Sequence, residues 1–312
     1  MPSLSSLVVV IGTGGTIAGT AAQPQDHTGY TAGALSAQAL IAAVPALAGQ
    51  ALETESLAQL DSCDMDHATW VRLAKAVQQH LAREEVAAVV ITHGTDTLEE
   101  TALFLHLTVH ASKPVVLTAA MRPATAPSPD GPQNLVDALT VARHDGARGV
   151  LAVVGGAVHA ATDVRKLHGY RVDAFSSGDA GPVALIQDGH LRLLRAWPAS
   201  EASCAAALQR DVATWPIVDV VTSHAGARAA TLDALVAAGA RGIIIAGTGN
   251  GSVHAALMQA ARQAQGQGVR VVRASRCIAG GVVGAPANAL PSAGDLTPAQ
   301  ARVALMLDLL RG

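Results

Sequence analysis

Two threonines stand where an acyl-transfer reaction would need oxygen atoms. One lies in Gly12-Thr13-Gly14-Gly15-Thr16-Ile17-Ala18-Gly19, directly after the apolar run 7–11. The other lies in Thr92-His93-Gly94-Thr95-Asp96-Thr97, directly after the apolar run 87–91. Both runs read as buried strands. Each hydroxyl is therefore expected just past a strand's carboxyl end, on a loop leading to a helix, where open parallel sheets bind ligands. A threonine hydroxyl is a poor nucleophile until a base or a preorganised oxyanion site assists it. Asp96 supplies a carboxylate directly beside Thr95.

Other readings of the same residues compete. Glycine-rich loops before helices bind anions, but the third glycine of a dinucleotide fingerprint falls on Ile17, and no Gly-Lys-Ser/Thr follows. A plain structural turn remains open for the first loop taken alone. Thr97 and Glu100 are spaced as a capping box, and Glu99 and Glu100 suit a helix N-terminus; neither reading explains Thr95. His106 and His110 are spaced i,i+4 but lack an intervening Glu and a third ligand, so no metal is expected. Cys63 lacks an evident base, which favours a small filler over a nucleophile. His93 is expected to brace its loop, and Arg122 and Asp130 to hold a loop shape.

The elements that must position these groups alternate short β-branched runs with amphipathic segments, the pattern of a parallel α/β sheet. Strands are predicted at 7–11, 87–91, 115–118, 150–154, 217–222, 243–246 and 269–274. Ser36 caps a helix through residue 43, and Asp66 caps a helical stretch at 70–81. Further helices are predicted at 99–110, from Asp130-Gly131-Pro132 to 141, and at 232–237, 253–264 and 299–310. The pattern lapses over 193–215, read as a linker between an N-terminal catalytic domain, 1–192, and a C-terminal α/β domain, 216–312. Residues 280–288 read as a long loop of the functional kind.

A chain of 312 residues with 50% hydrophobic and 14% charged residues carries less charge than the usual 25% or so. That scarcity points to extra burial in an oligomer. The net charge of −3 gives no electrostatic case for nucleic acid. No uncharged run reaches the roughly 20 residues of a membrane helix. The three cysteines are scattered and odd in number, so no disulfide frame follows. The run 7–11 is too short for a signal h-region, and the cytosol is the expected compartment. Aromatics are only 2% of residues, which makes Tyr30 and Tyr170 unlike mere core filler.

The two threonine segments, with Ala119-Ala120-Met121-Arg122-Pro123 and Asp130-Gly131-Pro132-Gln133-Asn134-Leu135, resemble the signatures of the bacterial-type L-asparaginase/glutaminase family. The similarity runs from residue 7 through the last helix. It implies a two-domain α/β fold whose N-terminal parallel sheet has flavodoxin-like order. It implies hydrolysis of L-asparagine to L-aspartate and ammonia through an acyl-enzyme on Thr16. Tyr30 matches the mobile-loop tyrosine, Thr95 and Asp96 the second hydroxyl and its acidic neighbour, and Lys166 the lysine paired with that threonine. Gly15, Asp61, Ser62, Cys63, Thr95, Asp96, Ala120 and Ser252 match substrate-contacting positions. Ser62 and Asp96 hold the α-carboxylate and α-amine, and the Ala120 carbonyl faces the leaving amide. No cofactor is implied, and a homodimer or homotetramer is, with the smaller domain completing a neighbour's site.

The chain also departs from that pattern. Cys63 stands where many members carry Gln, Ser252 where they often carry Asn, and residues 278–284 lack the glutamate that secreted members offer a neighbouring subunit. Asp96 is then expected to be the lone carboxylate facing the substrate ammonium. Two alternatives follow: hydrolysis of an asparagine derivative with a modified α-amine, and a non-catalytic amino-acid sensor. Amidotransfer on charged tRNA predicts an N-terminal extension and a basic face. This slightly acidic sequence opens on its first strand and fits that reading poorly.

Overall fold

β-Branched runs without proline become central strands here because both of their faces are covered. The computed structural model describes residues 7–199, 202–284 and 289–311. They fall into two compact units, 1–208 and 209–312.

In the first unit the elements run β1 (Leu7–Gly14), α1 (Ala37–Ala42), β2 (Leu52–Leu60), α2 (His67–Leu81), β3 (Val86–Thr92), α3 (Leu98–Thr108), β4 (Val115–Thr118), α4 (Gly131–Ala142), β5 (Val150–Val154), β6 (Ala157–Ala160), β7 (Arg165–Lys166), β8 (Phe175–Ser176), β9 (Ala184–Gln187) and β10 (His190–Leu193). Eight strands form one sheet in the order β10-β9-β6-β5-β4-β3-β1-β2, and β7 pairs with β8 in a separate ribbon. The five strands β2-β1-β3-β4-β5 are mutually parallel, which is the flavodoxin-like order expected from the sequence. The second unit holds β11 (Val218–Thr222), α5 (Ala230–Ala237), β12 (Gly242–Gly247), α6 (Ala255–Gly266), β13 (Arg270–Ser275) and α7 (Pro298–Arg311). Its sheet is parallel, in the order β11-β12-β13.

The predicted strands are present within one to three residues at each end. β2 and β6 to β10 have no counterpart among the strands expected from the sequence. β2 is an edge strand in which the exposed Thr54 and Ser56 alternate with the half-buried Glu53 and Glu55, so it has no apolar run to betray it. Arg83 grips Glu53 through two 2.8 Å bonds, and His80 meets Glu55 at 2.7 Å. The division between units falls inside the expected 193–215 linker. The first part of that segment belongs to the first unit: Ala207 and Leu208 are buried, and the Cys204 N–H donates to the Leu107 carbonyl. Only part of the loop expected at 280–288 lies within the described residues; 285–288 are outside them.

Local chemistry closes the helices as read. The Ser36 hydroxyl accepts from the Ala39 N–H at 3.2 Å, and Asp66 accepts from the Thr69 N–H at 2.7 Å. The capping box expected at Thr97 requires correction. Its side chain makes no cap bond, and its hydroxyl instead donates to the Ser62 carbonyl at 2.8 Å. That carbonyl, arriving from the loop after β2, outcompetes the local partner. In the second unit, the buried Arg273 guanidinium donates to the carbonyls of Leu290, Asn250 and Gly284 at 3.1 Å each, tying the turn after β12 to the loop before α7.

The switch in strand order lies at β1 and β3, and here two backbones nearly touch. A Cβ on Gly15 would stand 2.3 Å from Gly94 Cα, and one on Gly94 would stand 2.4 Å from Ser62 Oγ. Gly15 also has φ of +77°, a region costly for L-residues. Gly15→Ala is thus expected to lower Tm by several degrees more than Gly146→Ala, whose φ is +81° but which meets nothing within 4 Å; equal losses would remove this contact from the account.

Two buried histidines add a pH dependence. Burial lowers the pKa of His93, just past β3, and of His159, on β6, from 6.5 to about 4. Between those values the unfolded chain binds more protons than the native one, so stability falls as pH drops from about 6.5 towards about 4. The urea midpoint is expected to decline already between about pH 6.5 and 5, above most carboxylate titrations; a flat midpoint over that window would contradict it.

Candidate active site

The carboxyl ends of β1, β2 and β3 come together where Gly14, the last residue of β1, and Gly15 lie against Leu60 and Gly94. The Gly15 N–H donates to the Leu60 carbonyl at the end of β2 at 2.8 Å. Asp61 opens the single-turn segment Ser62–Asp64, which Asp96 grips from β3's loop through its N–H on Ser62 Oγ at 3.1 Å. Ala119 and Ala120 follow β4 on the same sheet edge and are fully buried.

Thr16 is buried, and its Oγ1 lies 2.6 Å from the Tyr30 hydroxyl. Tyr30 is carried by an excursion between β1 and α1, closed at its neck by reciprocal backbone bonds between Thr20 and Thr31. The tip turns on Asp26, which accepts the N–H groups of Thr28 and Gly29 at 3.0 and 2.6 Å. Those bonds hold the Asp26 carboxyl below its usual range. The tyrosine ring lies on Gly19, where a Cβ would come within 2.7 Å of it. His27, on the same excursion, meets the Tyr170 hydroxyl at 3.3 Å.

Burial pushes the Tyr30 phenol above its ordinary pKa; the Thr16 hydrogen bond opposes this, and the charges of Asp61, Asp96 and Cys63 reinforce it. Tyr30 is therefore a neutral phenol at neutral pH, within the fields of both Asp61 and Asp96. Desolvation, then Asp61, Asp64 and Asp96, likewise raise the thiol of the exposed Cys63, which agrees with its reading as no nucleophile. Asp61, Asp64 and Asp96 thus all act on the Cys63 thiol at this edge.

Across the site, Lys166 Nζ donates to Thr95 Oγ1 at 2.8 Å and to Asp96 Oδ1 at 2.6 Å. Thr95 is buried, whereas half of the Asp96 side chain is exposed. The hydroxyls fall into a definite order. Thr95 accepts from an ammonium, and Ser62 accepts from a backbone N–H. Each therefore keeps its own O–H to donate elsewhere.

His93 braces this loop as expected. Trp70 Nε1–H donates to Thr101 Oγ1 at 2.8 Å, Thr101 lies 3.0 Å from His93 Nε2, and His93 Nδ1 lies 2.7 Å from the Gly94 carbonyl. With a neutral imidazole protonated on Nδ1, every partner in this buried chain is satisfied. Asp130 holds the loop after β4 by accepting the N–H groups of Met121 and Arg122, each at 2.9 Å. His106 is buried while His110 is exposed, and among the described residues no group of three or more His, Cys, Asp or Glu is placed to hold a metal ion. Ser252 lies in the second unit, exposed, in the turn where it pairs with Thr248.

One contact was invisible in the sequence. Glu99, read as a helix-dipole residue, accepts the Lys166 backbone N–H through Oε2 at 2.9 Å. Nothing in the 67-residue separation could have signalled it.

Residues 7–199 match the model "Asparaginase, N-terminal", and residues 217–312 match "Glutaminase/Asparaginase C-terminal domain". The chain is 37% identical over 310 residues to a probable periplasmic L-asparaginase of Haemophilus influenzae, covering 97% of this chain and 88% of that protein. It is 37% identical to L-asparaginase 2 of Bacillus subtilis, covering 97% of this chain and 82% of that one. The fold matches the crystal structure of a probable cytoplasmic L-asparaginase from Campylobacter jejuni with a TM-score of 0.92 at 38% identity, over 99% of this chain and 96% of the other. Two family domains in order along the chain, and a fold shared over its whole length, mean that this protein belongs to the asparaginase family.

Proposed function

We propose that this protein hydrolyses the side-chain amide of L-asparagine to L-aspartate and ammonia, with Thr16 as nucleophile. The observation that carries the reading is a buried threonine hydroxyl held on a neutral tyrosine, with a second threonine hydroxyl, held by Lys166, on the loop packed against its own. A phenol with a raised pKa is a poor resting base. The Thr16 proton therefore moves to Tyr30 only as the tyrosine passes its own proton towards the departing nitrogen. The Thr16 Oγ–carbonyl bond forms, the carbon–nitrogen bond breaks, and ammonia leaves an ester. Water then attacks that ester through the same relay in reverse and releases aspartate.

The remaining roles follow from the direction of each hydrogen bond. Ser62 has an O–H free for the α-carboxylate, and Asp96 has an exposed oxygen for the α-ammonium. Thr95, polarised by the Lys166 ammonium, has an O–H to donate to the substrate. Donors aimed at the developing oxyanion are usually the largest single contribution to such catalysis, and backbone N–H groups of the two glycine loops would supply them. Gly15, Asp61, Cys63 and Ala120 would line the pocket, and Ser252 would reach a neighbouring subunit's site in a homodimer or homotetramer. The exposed free thiols Cys63 and Cys277 suit a reducing compartment, which supports the cytoplasm.

A specific observation also favours a modified α-amine. Cys63 is exposed and uncharged beside the carboxylates, which leaves room where a longer polar side chain would close the pocket.

Thr16→Ala is expected to lower ammonia release from L-Asn at least about a thousandfold, with the fold unchanged by circular dichroism. Tyr30→Phe is expected to cost about a hundredfold in kcat, since it removes a proton carrier and leaves the ring on Gly19. Full activity of Thr16→Ala would overturn the assignment. Turnover of L-Asn, L-Gln, D-Asn and N-acetyl-Asn separates the substrates: a micromolar KM confined to free L-Asn would exclude preference for a modified amine.

A further inference from the structure

We propose that Glu99 is a positioning residue for Lys166, clamping its backbone so that its ammonium is presented to Thr95 and Asp96. The proposal deepens the amidase reading and rests on it. Lys166 sits on β7, a two-residue strand whose ladder contact is with Phe175 on β8. So short a ribbon is a weak anchor for a side chain with four rotatable bonds, whose immobilisation is entropically costly. Its Nζ must nonetheless reach two acceptors at once, 2.8 and 2.6 Å away.

The first turn of α3 resolves this. Thr95 and Asp96 hold the ammonium, and three residues after Asp96, the Glu99 carboxylate accepts the Lys166 N–H at 2.9 Å. One five-residue segment therefore grips both ends of the same lysine. The helix start at Leu98 sets the spacing between the two grips, so a shift of β7 away from the site costs the Glu99 bond as well as those at Nζ. With its backbone fixed, Lys166 has only side-chain torsions left to order, and the ammonium is aimed before substrate arrives. A carboxylate is a strong acceptor for a backbone N–H. What the position requires is an acceptor oxygen at that reach; the negative charge is secondary.

The test compares Glu99→Gln, which keeps an acceptor oxygen, with Glu99→Met, which keeps the volume and removes it. Glu99→Met is expected to lower kcat for L-Asn about tenfold or more with KM changed less than about twofold, while Glu99→Gln stays within about threefold of the parent in both. A readout independent of turnover is the exchange rate of the Lys166 amide. It should rise about tenfold in Glu99→Met, remain slow in Glu99→Gln, and leave neighbouring β8 amides unchanged. If Glu99→Met fails to fold, Glu99→Ala serves in its place. Slow Lys166 exchange and unchanged kcat in the acceptor-less variant would overturn the proposal, as would equal losses in both variants. A parent protein that releases no ammonia would instead sink the amidase reading, with the exchange experiment still deciding the clamp.

Discussion

The close approach of two loop backbones at Gly15 and Gly94 is the constraint from which the site follows. Neighbouring parallel strands lie about 4.8 Å apart, and β1 pairs directly with β3 up to Gly12 and Thr92. Beyond those residues the chains could splay. They do not, because neither glycine carries a Cβ and Gly15 occupies a positive φ. The consequence is that Thr16 and Thr95 each follow directly on a glycine of this contact, so their backbones leave the sheet edge side by side. Ser62, pressed against Gly94, draws the end of β2 into the same place. A reaction needing several convergent oxygens thus gets them from three strands through backbone packing, and the side chains themselves remain free to bind.

Electrostatics then distinguish two chemically similar hydroxyls. Thr16 faces a phenol kept neutral by burial and nearby carboxylates. Thr95 faces a cation shared with Asp96. The first arrangement can accept a proton only in concert with passing one on; the second strengthens a donor. The residues enclosing this edge are correspondingly unreactive: His93 is a neutral strut inside a satisfied chain from Trp70 to the Gly94 carbonyl, and Cys63 is a protonated thiol. Environment thus separates these groups: burial keeps the His93 imidazole neutral, and desolvation and neighbouring carboxylates keep the Cys63 thiol protonated.

The helix α3 links that electrostatic arrangement to the fold. Its first turn contributes Thr97 to the β2 loop and Glu99 to the β7 ribbon, while Thr101, one turn later, joins the His93 chain. A motif that looks like ordinary helix-start chemistry is occupied by tertiary partners at three positions. This explains why the expected capping bond at Thr97 is absent: a hydroxyl able to satisfy either its own helix or the carbonyl of a second loop takes the partner that also closes the site.

By itself, the sequence determined the strand–helix alternation, the caps at Ser36 and Asp66, and the location of both threonines just beyond strand ends. These depend on residues within a few positions of one another, where periodicity, β-branching and capping chemistry act. It also carried the family resemblance, since whole signatures survive in order. The edge strand β2 escaped it because half-exposed strands mix Glu, Thr and Ser with Leu and show no apolar run. Tertiary structure alone decided that Glu99 meets Lys166 and that Thr97 meets Ser62, and it brings Lys166 to Thr95 and Asp96, a pairing the sequence carried only through the family resemblance. Those pairings are set by strand order and by how closely loop backbones can approach. Neither is encoded in the local spacing of the residues that finally touch.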